Sequence, residues 1–411
     1  MTRALGIAFV ALLTGAGVTE AHAPSGNACA GLSAFFSERS YRPGASALLR
    51  IDSGGANAAL SLQVFQAGGE AAPWSVSAGH DVVVTGVPVT APIETRRRTI
   101  AIRVGKWRSG VYFARLSAPG GGPDYAPFIV GPPRLGASRV LVVEPTNTWQ
   151  AYNFEGGDSW YLNPAVHVID LMRPYLGDGL PPHFRDYDLG FLRWYWQSGA
   201  HADFLSDDDL ERFVSGAQLR RLYDLIVFPG HEEYVTPHVF SLIDQYRDDG
   251  GNLAFLSADN FFYEVTRSGH DLVGRTRWRD LGRPEASLVG AEYAGWNERL
   301  FRNHPFEVSD TAAAPWLFAG TGLRDGSRFG LYGIEIDQRA AASPPGVEVL
   351  ARISNDFGPG ASAEMTYYRR GRAGVFDAGV LNFGATADWP RVSRLVDNLW
   401  RHLAPRSPLG G

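Results

Sequence analysis

The sequence predicts a small immunoglobulin-like β-sandwich over 33–132, followed over 136–405 by a larger α/β unit built on a doubly wound parallel sheet. Three observations point there. Short alternating runs broken by Gly, Pro and Ser fill the first stretch, as in an antiparallel sandwich. Continuous apolar runs then alternate with amphipathic ones, as strands buried on both faces alternate with covering helices. Between the two lies "VGPPRLGAS" at 130–138, where paired prolines end a strand and stiffen the crossing.

The sandwich strands are "SALLRID", "LSLQVFQAG", "DVVVTGV", "RTIAIRVG" and "GVYFARL", separated by turn-forming clusters. After the linker, "SRVLVVEP" reads as the first buried strand. "DLGFLRWYWQSG" and "SDDDLERFVSGAQLRRLYD" read as helices; Ser206 caps the second, and its aspartates suit the positive N-terminal end. "DLIVFPG" is the second buried strand. Thr236 and Pro237 supply the cap and first residue of the next helix, "HVFSLIDQYRDDGG", which glycine stops. "NLAFLS" is the third buried strand. From 290 onward, strand-like pieces ("GLYGIEID", "VEVLARIS", "AEMTYYRRGRAGVFDAG") precede a final helix, "WPRVSRLVDNLWRHL".

The 411 residues suffice for two domains, and 45% hydrophobic content argues for packed cores over disorder. A formal net charge of −5 gives no reason to expect nucleic acid or an anionic membrane as partner. Arg96-Arg97-Arg98 lies between strand-like runs and reads as a solvated turn or sheet face. Residues 1–23 read as a Sec-type signal peptide: Arg3, the apolar "ALGIAFVALLTGAGV", then "AHA", with cleavage near Ala23. No twin arginine precedes the apolar stretch, which is short for a membrane span, and no later stretch is long and apolar enough. The expected location is secreted or periplasmic. Cys29 is the single cysteine, so neither an internal disulfide nor a cysteine nucleophile in the body of the chain is available.

In a parallel sheet, ligands gather beyond the C-terminal ends of the strands. Three such exits are polar: "EPTNTWQAYNFEGGDSWY" (144–161), "GHEEY" (230–234) and "SADNFFYE" (257–264). Turn formation and aromatic packing account for some of these residues. His231, Glu232 and Glu233 at the mouth of a buried strand make the sharpest case for a reactive site. The second histidine of "HEEYVTPH" lies across Pro237, too far for a zincin pair one helical turn apart. There is no G-x-S-x-G elbow, Walker loop or G-x-G-x-x-G after a strand, and Ser257 in "LSADN" lacks the glycines of a sharp nucleophile turn. Glu335, Glu364, His304 and His270 are further polar candidates that no spacing ties to these exits.

"NTWQAYNFEGGDSWY", "FLRWYWQSGAHADFLSDDDL", "YDLIVFPGHEEYVTP", "GGNLAFLSADNFFYEV", "GIEID" and "VFDAGVLNFG" together carry a resemblance. They resemble the C-terminal, class I glutamine-amidotransferase-like domain of the N,N-dimethylformamidase large (beta) subunit. "WRSGVYFARL" resembles the end of the β domain before it, so the resemblance runs from about 100 onward. It implies an amidotransferase-like fold with another mechanism: mononuclear Fe(III), held by two tyrosines and a glutamate, hydrolysing a small amide. Carried to this chain, Glu233 is the implied carboxylate ligand, with Tyr152 in "WQAYN" and Tyr112 in "SGVYFARL" the implied phenolates. His231 and Asn260 are implied to orient water or substrate, and His231 or Glu232 to shuttle protons. Such hard oxygen donors suit Fe(III), which would draw the tyrosine pKa down from about 10. The chain departs from the family in its export signal and in Arg369 and Arg370 after "MTYY".

The expectation is therefore an exported, iron-dependent amidase acting on a small-molecule amide. A non-catalytic ligand- or carbohydrate-binding protein with an amidotransferase-like shell is the alternative, which the many aromatics also fit. Homo-oligomer formation stays open. A glutamine amidotransferase mechanism is excluded, because "LSADNF" carries no cysteine.

Overall fold

The computed structural model describes residues 32–52, 59–69, 89–92, 97–117, 122–161, 163, 165–296, 303–354, 357–358 and 360–404. The expected signal peptide, Cys29 and the run "DVVVTGV" lie outside them.

At the N-terminal end two sheets enclose a common core. One orders the strands Ser33–Phe36, Ser46–Asp52 and Arg97–Arg103. The other orders Ser40–Tyr41, Pro123–Val130, Gly110–Ser117, Ala59–Gln66 and Val89–Pro92. Alternation decides which side chains go inward: in "SALLRID", Ala47, Leu49 and Ile51 are buried while Ser46, Leu48 and Arg50 face out. The strand Gly110–Ser117 is instead buried on both faces. Tyr112, Ala114 and Leu116 join the core between the two sheets, whereas Val111 and Phe113 join the core of the larger unit.

That larger unit corrects the expected architecture. Its sheet has nine strands, ordered Asp203–Ser206, Val140–Glu144, Leu225–Phe228, Asn252–Phe255, Ala373–Asp377, Ser362–Arg370, Glu348–Ser354, His304–Val308 and Arg328–Tyr332. Only the first five run parallel; the rest pair antiparallel, so the sheet is mixed and not doubly wound. The cause is local. Parallel neighbours need a long crossover, usually a helix. Between residue 290 and Pro390 the described helical segments amount to the single turn Pro315–Phe318 and a 3₁₀ turn, so strands there return through loops. Arg370 faces Ala373 across a two-residue loop whose first residue, Gly371, has φ 59°, a tight hairpin that forces antiparallel pairing.

Helices Leu189–Gln197 and Pro390–Leu403 pack on one side of this sheet, Gly216–Leu222 and Pro237–Asp248 on the other. The stretch read as one helix from Ser206 is two, Asp207–Leu210 and Gly216–Leu222. Ser206 bonds the Asp209 carboxylate through its amide (3.0 Å) and hydroxyl (2.9 Å), and Ser215 starts the second helix by accepting from the Gln218 amide. No helix of the described residues is long and apolar enough to cross a membrane.

Two small sheets grow from segments that leave the large one. Tyr234–Val235, Tyr263–Ser268, Asp271–Arg277 and Val168–Asp170 form the first; Glu292–Trp296 and Glu335–Gln338 form the second. They bring residues far apart in the chain over the strand exits.

Candidate functional site

The strand Leu225–Phe228 ends in Pro229 and Gly230. A Cβ on Gly230 would lie 2.3 Å from Asp188 Oδ1 and 3.1 Å from the Pro145 ring, so a larger residue here would have to displace the buried Asp188 carboxyl. His231, Glu232 and Glu233 follow, with the Glu233 amide donating to Thr148 Oγ1 at 3.1 Å. At the neighbouring exit, the Ser257 hydroxyl donates to the Leu381 carbonyl at 2.9 Å, which gives it a structural role. Asp259 and Phe261 there have φ of 55° and 58°, a left-handed backbone uncommon for non-glycine residues. Three bonds hold the turn: Phe261 N to Glu232 O (2.6 Å), Tyr263 N to Glu233 O (2.9 Å) and Asp259 N to Asp337 Oδ1 (2.8 Å). Thus the two exits are tied together and Asp259 faces His231.

His231 Nε2 lies 3.4 Å from Glu233 Oε2, 3.7 Å from Asp259 Oδ2 and 3.6 Å from Glu335 Oε2. One donor atom from each of His231, Glu233 and Asp259 lies within 4.8 Å of the other two. The side chains of these three are at most 5% exposed, that of Glu335 18%. His231 Nε2, Glu233 Oε2, Asp259 Oδ1 and Glu335 Oε2 are buried without a hydrogen-bond partner. Buried polar atoms are rarely left so, and a gathering of one imidazole nitrogen with the carboxylates of Glu233 and Asp259, and Glu335 beside the imidazole, fits a cation.

The electrostatics agree. Burial, and then the charge of Asp259, push the Glu233 carboxyl well above the usual carboxylate range, against the opposing influence of His231 and the Tyr152 hydroxyl. Burial followed by Glu335 and Asp337 does the same to Asp259, and burial raises Glu335 against His231 and His183. A cation among them would favour their charged forms. Tyr152 sets its ring edge-on to His231, with centroids 5.2 Å apart, and burial followed by the charge of Glu233 raises its hydroxyl well above the ordinary value. Tyr161 stacks on it at 5.3 Å. Above the group opens a cleft of about 520 Å³, with Glu233, Asp259 and Glu335 among its lining residues.

Of the residues expected from the sequence, Glu233, His231 and Tyr152 meet. Tyr112 does not join them. It is fully buried between the two N-terminal sheets, its hydroxyl donating to the Arg108 carbonyl at 2.7 Å with Gln66 Oε1 3.2 Å away, its ring stacked on Trp107 at 5.5 Å. Strand alternation sends Val111 and Phe113, not Tyr112, towards the larger unit, so the two-phenolate set is not assembled. Glu232 also turns away, and its carboxyl faces Asp207 and Glu144 with neither oxygen in a well-aligned hydrogen bond. Asn260 donates to Asp377 Oδ1 at 3.4 Å and is not among the residues that line the cleft. Asp259 carries no sequence signal beyond its strand-exit position, and Glu335 stays unattached in the sequence because long-range contacts bring it in: pairing of Glu335–Gln338 with Glu292–Trp296 and a bond from the Leu381 amide to the Glu335 carbonyl.

A family model described as N,N-dimethylformamidase beta subunit-like, C-terminal, matches residues 97–394. No curated protein matches the chain. Among solved structures, the mmIFT52 N-terminal domain is 12% identical with a TM-score of 0.34, over 52% of this chain and 88% of that one. A ThuA-like protein from Parabacteroides merdae is 12% identical with a TM-score of 0.34, over 66% and 91%. The exo-beta-1,4-mannosidase Op5Man5 from Opitutaceae bacterium strain TAV5 is 12% identical with a TM-score of 0.31, over 66% and 36%. Likeness at that level carries no argument about activity.

Proposed function

The chain belongs to the N,N-dimethylformamidase beta subunit-like C-terminal family, and from that premise we propose that it is an exported, metal-dependent amidase that hydrolyses the C–N bond of an amide. One observation carries the reading: the donor atoms of buried His231, Glu233 and Asp259 gather within 4.8 Å of one another, with Glu335 Oε2 3.6 Å from the imidazole, beneath a cleft that the three acids line. His231, Glu233 and Asp259, with Glu335, would hold the cation. Iron is the metal the family resemblance implies, and imidazole with carboxylates is a donor set it accepts. A cation held there would polarise an amide carbonyl and acidify a water molecule.

The chain's own residues divide the remaining work. Tyr152, kept protonated by burial and by Glu233, is a hydroxyl donor suited to steadying negative charge on the substrate oxygen. Glu335 is the most exposed of the four; with one carboxylate oxygen given to the cation, its other oxygen would take a proton from water and return it to the departing amine. Asp337, through the Asp259 amide, holds Asp259 in its unusual backbone conformation. Export rests on the apolar N-terminal stretch of the sequence, and a mature N-terminus just after Ala23, read by mass spectrometry, checks it.

The test is amine release from dimethylformamide and related amides by iron-loaded protein. Activity in the wild type with background rates in Glu233→Ala supports the reading. An iron-loaded wild type inert on every amide tried, or a Glu233→Ala variant as active as wild type, overturns it.

A further inference from the structure

We infer that the ligand of this cleft carries a carboxylate, received by Arg275, beside an aromatic or aliphatic group; as a statement about substrate, this rests on the amidase reading of the same floor. Size is the first reason. Clefts of about 300–1,000 Å³ hold drug-sized ligands, and this one measures about 520 Å³. Dimethylformamide would leave most of it to water.

The second reason is the cation on its wall. The Arg275 guanidinium lies 5.6 Å from the ring centroids of both Trp160 and Tyr263, and one of its nitrogens donates to the Trp160 carbonyl at 2.7 Å. Two aromatic faces and one bond fix the group in place, which lowers the cost of ordering it around a ligand. No carboxylate of the described residues forms an ion pair with it. Its neighbour Arg277 differs: Asp280 takes that guanidinium through two bonds, of 2.7 and 3.1 Å. A guanidinium has five N–H donors in a fork that matches a carboxylate, and Arg275 has most of them left.

The third reason is the aromatic surface beside that charge. Phe262 packs against Tyr263 at 4.5 Å and Tyr293 at 5.1 Å, and all three line the cleft. Acylated aromatic amino acids combine an amide, a carboxylate and a ring in one molecule, which is the combination the floor, Arg275 and this wall would receive. The competing role for Arg275 is to balance the acids of the floor, without touching any ligand.

Calorimetry on iron-loaded protein separates the two, with N-acetylphenylalanine and its neutral amide, N-acetylphenylalaninamide, as probes. The wild type should bind the acid at least about tenfold more tightly, a difference of about 1.4 kcal/mol. Arg275→Gln should lose that preference with its iron content unchanged. Arg275→Lys keeps the charge without the fork, should retain part of the preference, and serves if the glutamine variant does not fold. Equal wild-type affinity for the two probes, or a preference that survives in Arg275→Gln, overturns the inference. Hydrolysis of the same pair keeps the two readings apart. An acid preference with no hydrolysis of either probe supports the anion site and counts against the amidase; hydrolysis without acid preference does the reverse.

Discussion

Glu232 and Glu233 are adjacent in the chain and enter two different buried acidic groups. Glu233 joins Asp259 and Glu335 around the His231 imidazole, under an open cleft. Glu232 faces Asp207 and Glu144, with Asp188 beyond, and among the described residues no lysine, arginine or histidine forms an ion pair with any of these four. Thr146 Oγ1 (3.0 Å) and the Asn147 amide (2.7 Å) donate to Asp207, while Glu144 is wholly buried and neither of its oxygens has a partner. Burial first, then Asp188 and Asp207, push the Glu144 carboxyl well above the usual range. Buried acids without a cation hold their protons to higher pH than exposed ones. Acidity in the interior therefore does not mark a metal centre by itself. An imidazole, donor atoms that converge and an opening to solvent separate the first group from the second.

The largest effect should come from Glu233→Ala: loss of the metal and of several kcal/mol of transition-state stabilisation, on the order of a thousandfold in amide hydrolysis. Its adjacent control, Glu232→Gln, should keep both within a few-fold. Equal losses in the two variants would dissolve the distinction between the groups. Asp259→Asn and Glu335→Gln should each weaken metal binding by at least about tenfold. Their carboxyls must shed protons to bind a cation, so metal affinity in the wild type should rise with pH, as competition with a chelator at pH 6 and pH 8 would measure.

The sealed group should show itself in stability. Burial pushes the Asp207 carboxyl from its ordinary value near 3.8 up to about 6. The folded protein then holds a proton that the unfolded chain releases. This contribution is fully present below pH 4, falls as pH rises towards 6, and is flat above. Its slope is at most about 1.4 kcal/mol per pH unit. Denaturant unfolding of Asp207→Asn at pH 4 and pH 7 should show less of that fall. Smallest is Tyr112→Phe: loss of one buried hydrogen bond, about 1 kcal/mol of stability, with metal and activity unchanged.

Much of the frame was legible from the sequence. Continuous apolar runs marked the strands that end at Glu144, Phe228 and Phe255, and Thr236 with Pro237 marked the helix Pro237–Asp248. The direction of the later strands was not, because an apolar strand reads alike beside a parallel or an antiparallel neighbour. The informative residue was Gly371 between two strand runs, a hairpin cue that outweighs the preceding βαβ pattern. At the site, the strand exit pointed to His231 and Glu233 and the family resemblance to Tyr152, and the structure brings these three side chains together. Tyr112 misled because its strand is buried on both faces, which removes the alternation that would have shown which way it points. Glu335 was hidden because its place depends on pairing with a segment distant in sequence.

The central claim is that His231, Glu233, Asp259 and Glu335 hold a metal ion and that the adjacent acid group does not. Iron per chain, measured by plasma mass spectrometry after reconstitution and gel filtration, tests it directly across wild type, Glu233→Ala and Glu232→Gln. The account predicts about one iron in the wild type and in Glu232→Gln, and almost none in Glu233→Ala. A wild type that binds no iron, or a Glu233→Ala variant that binds as much as wild type, would contradict it.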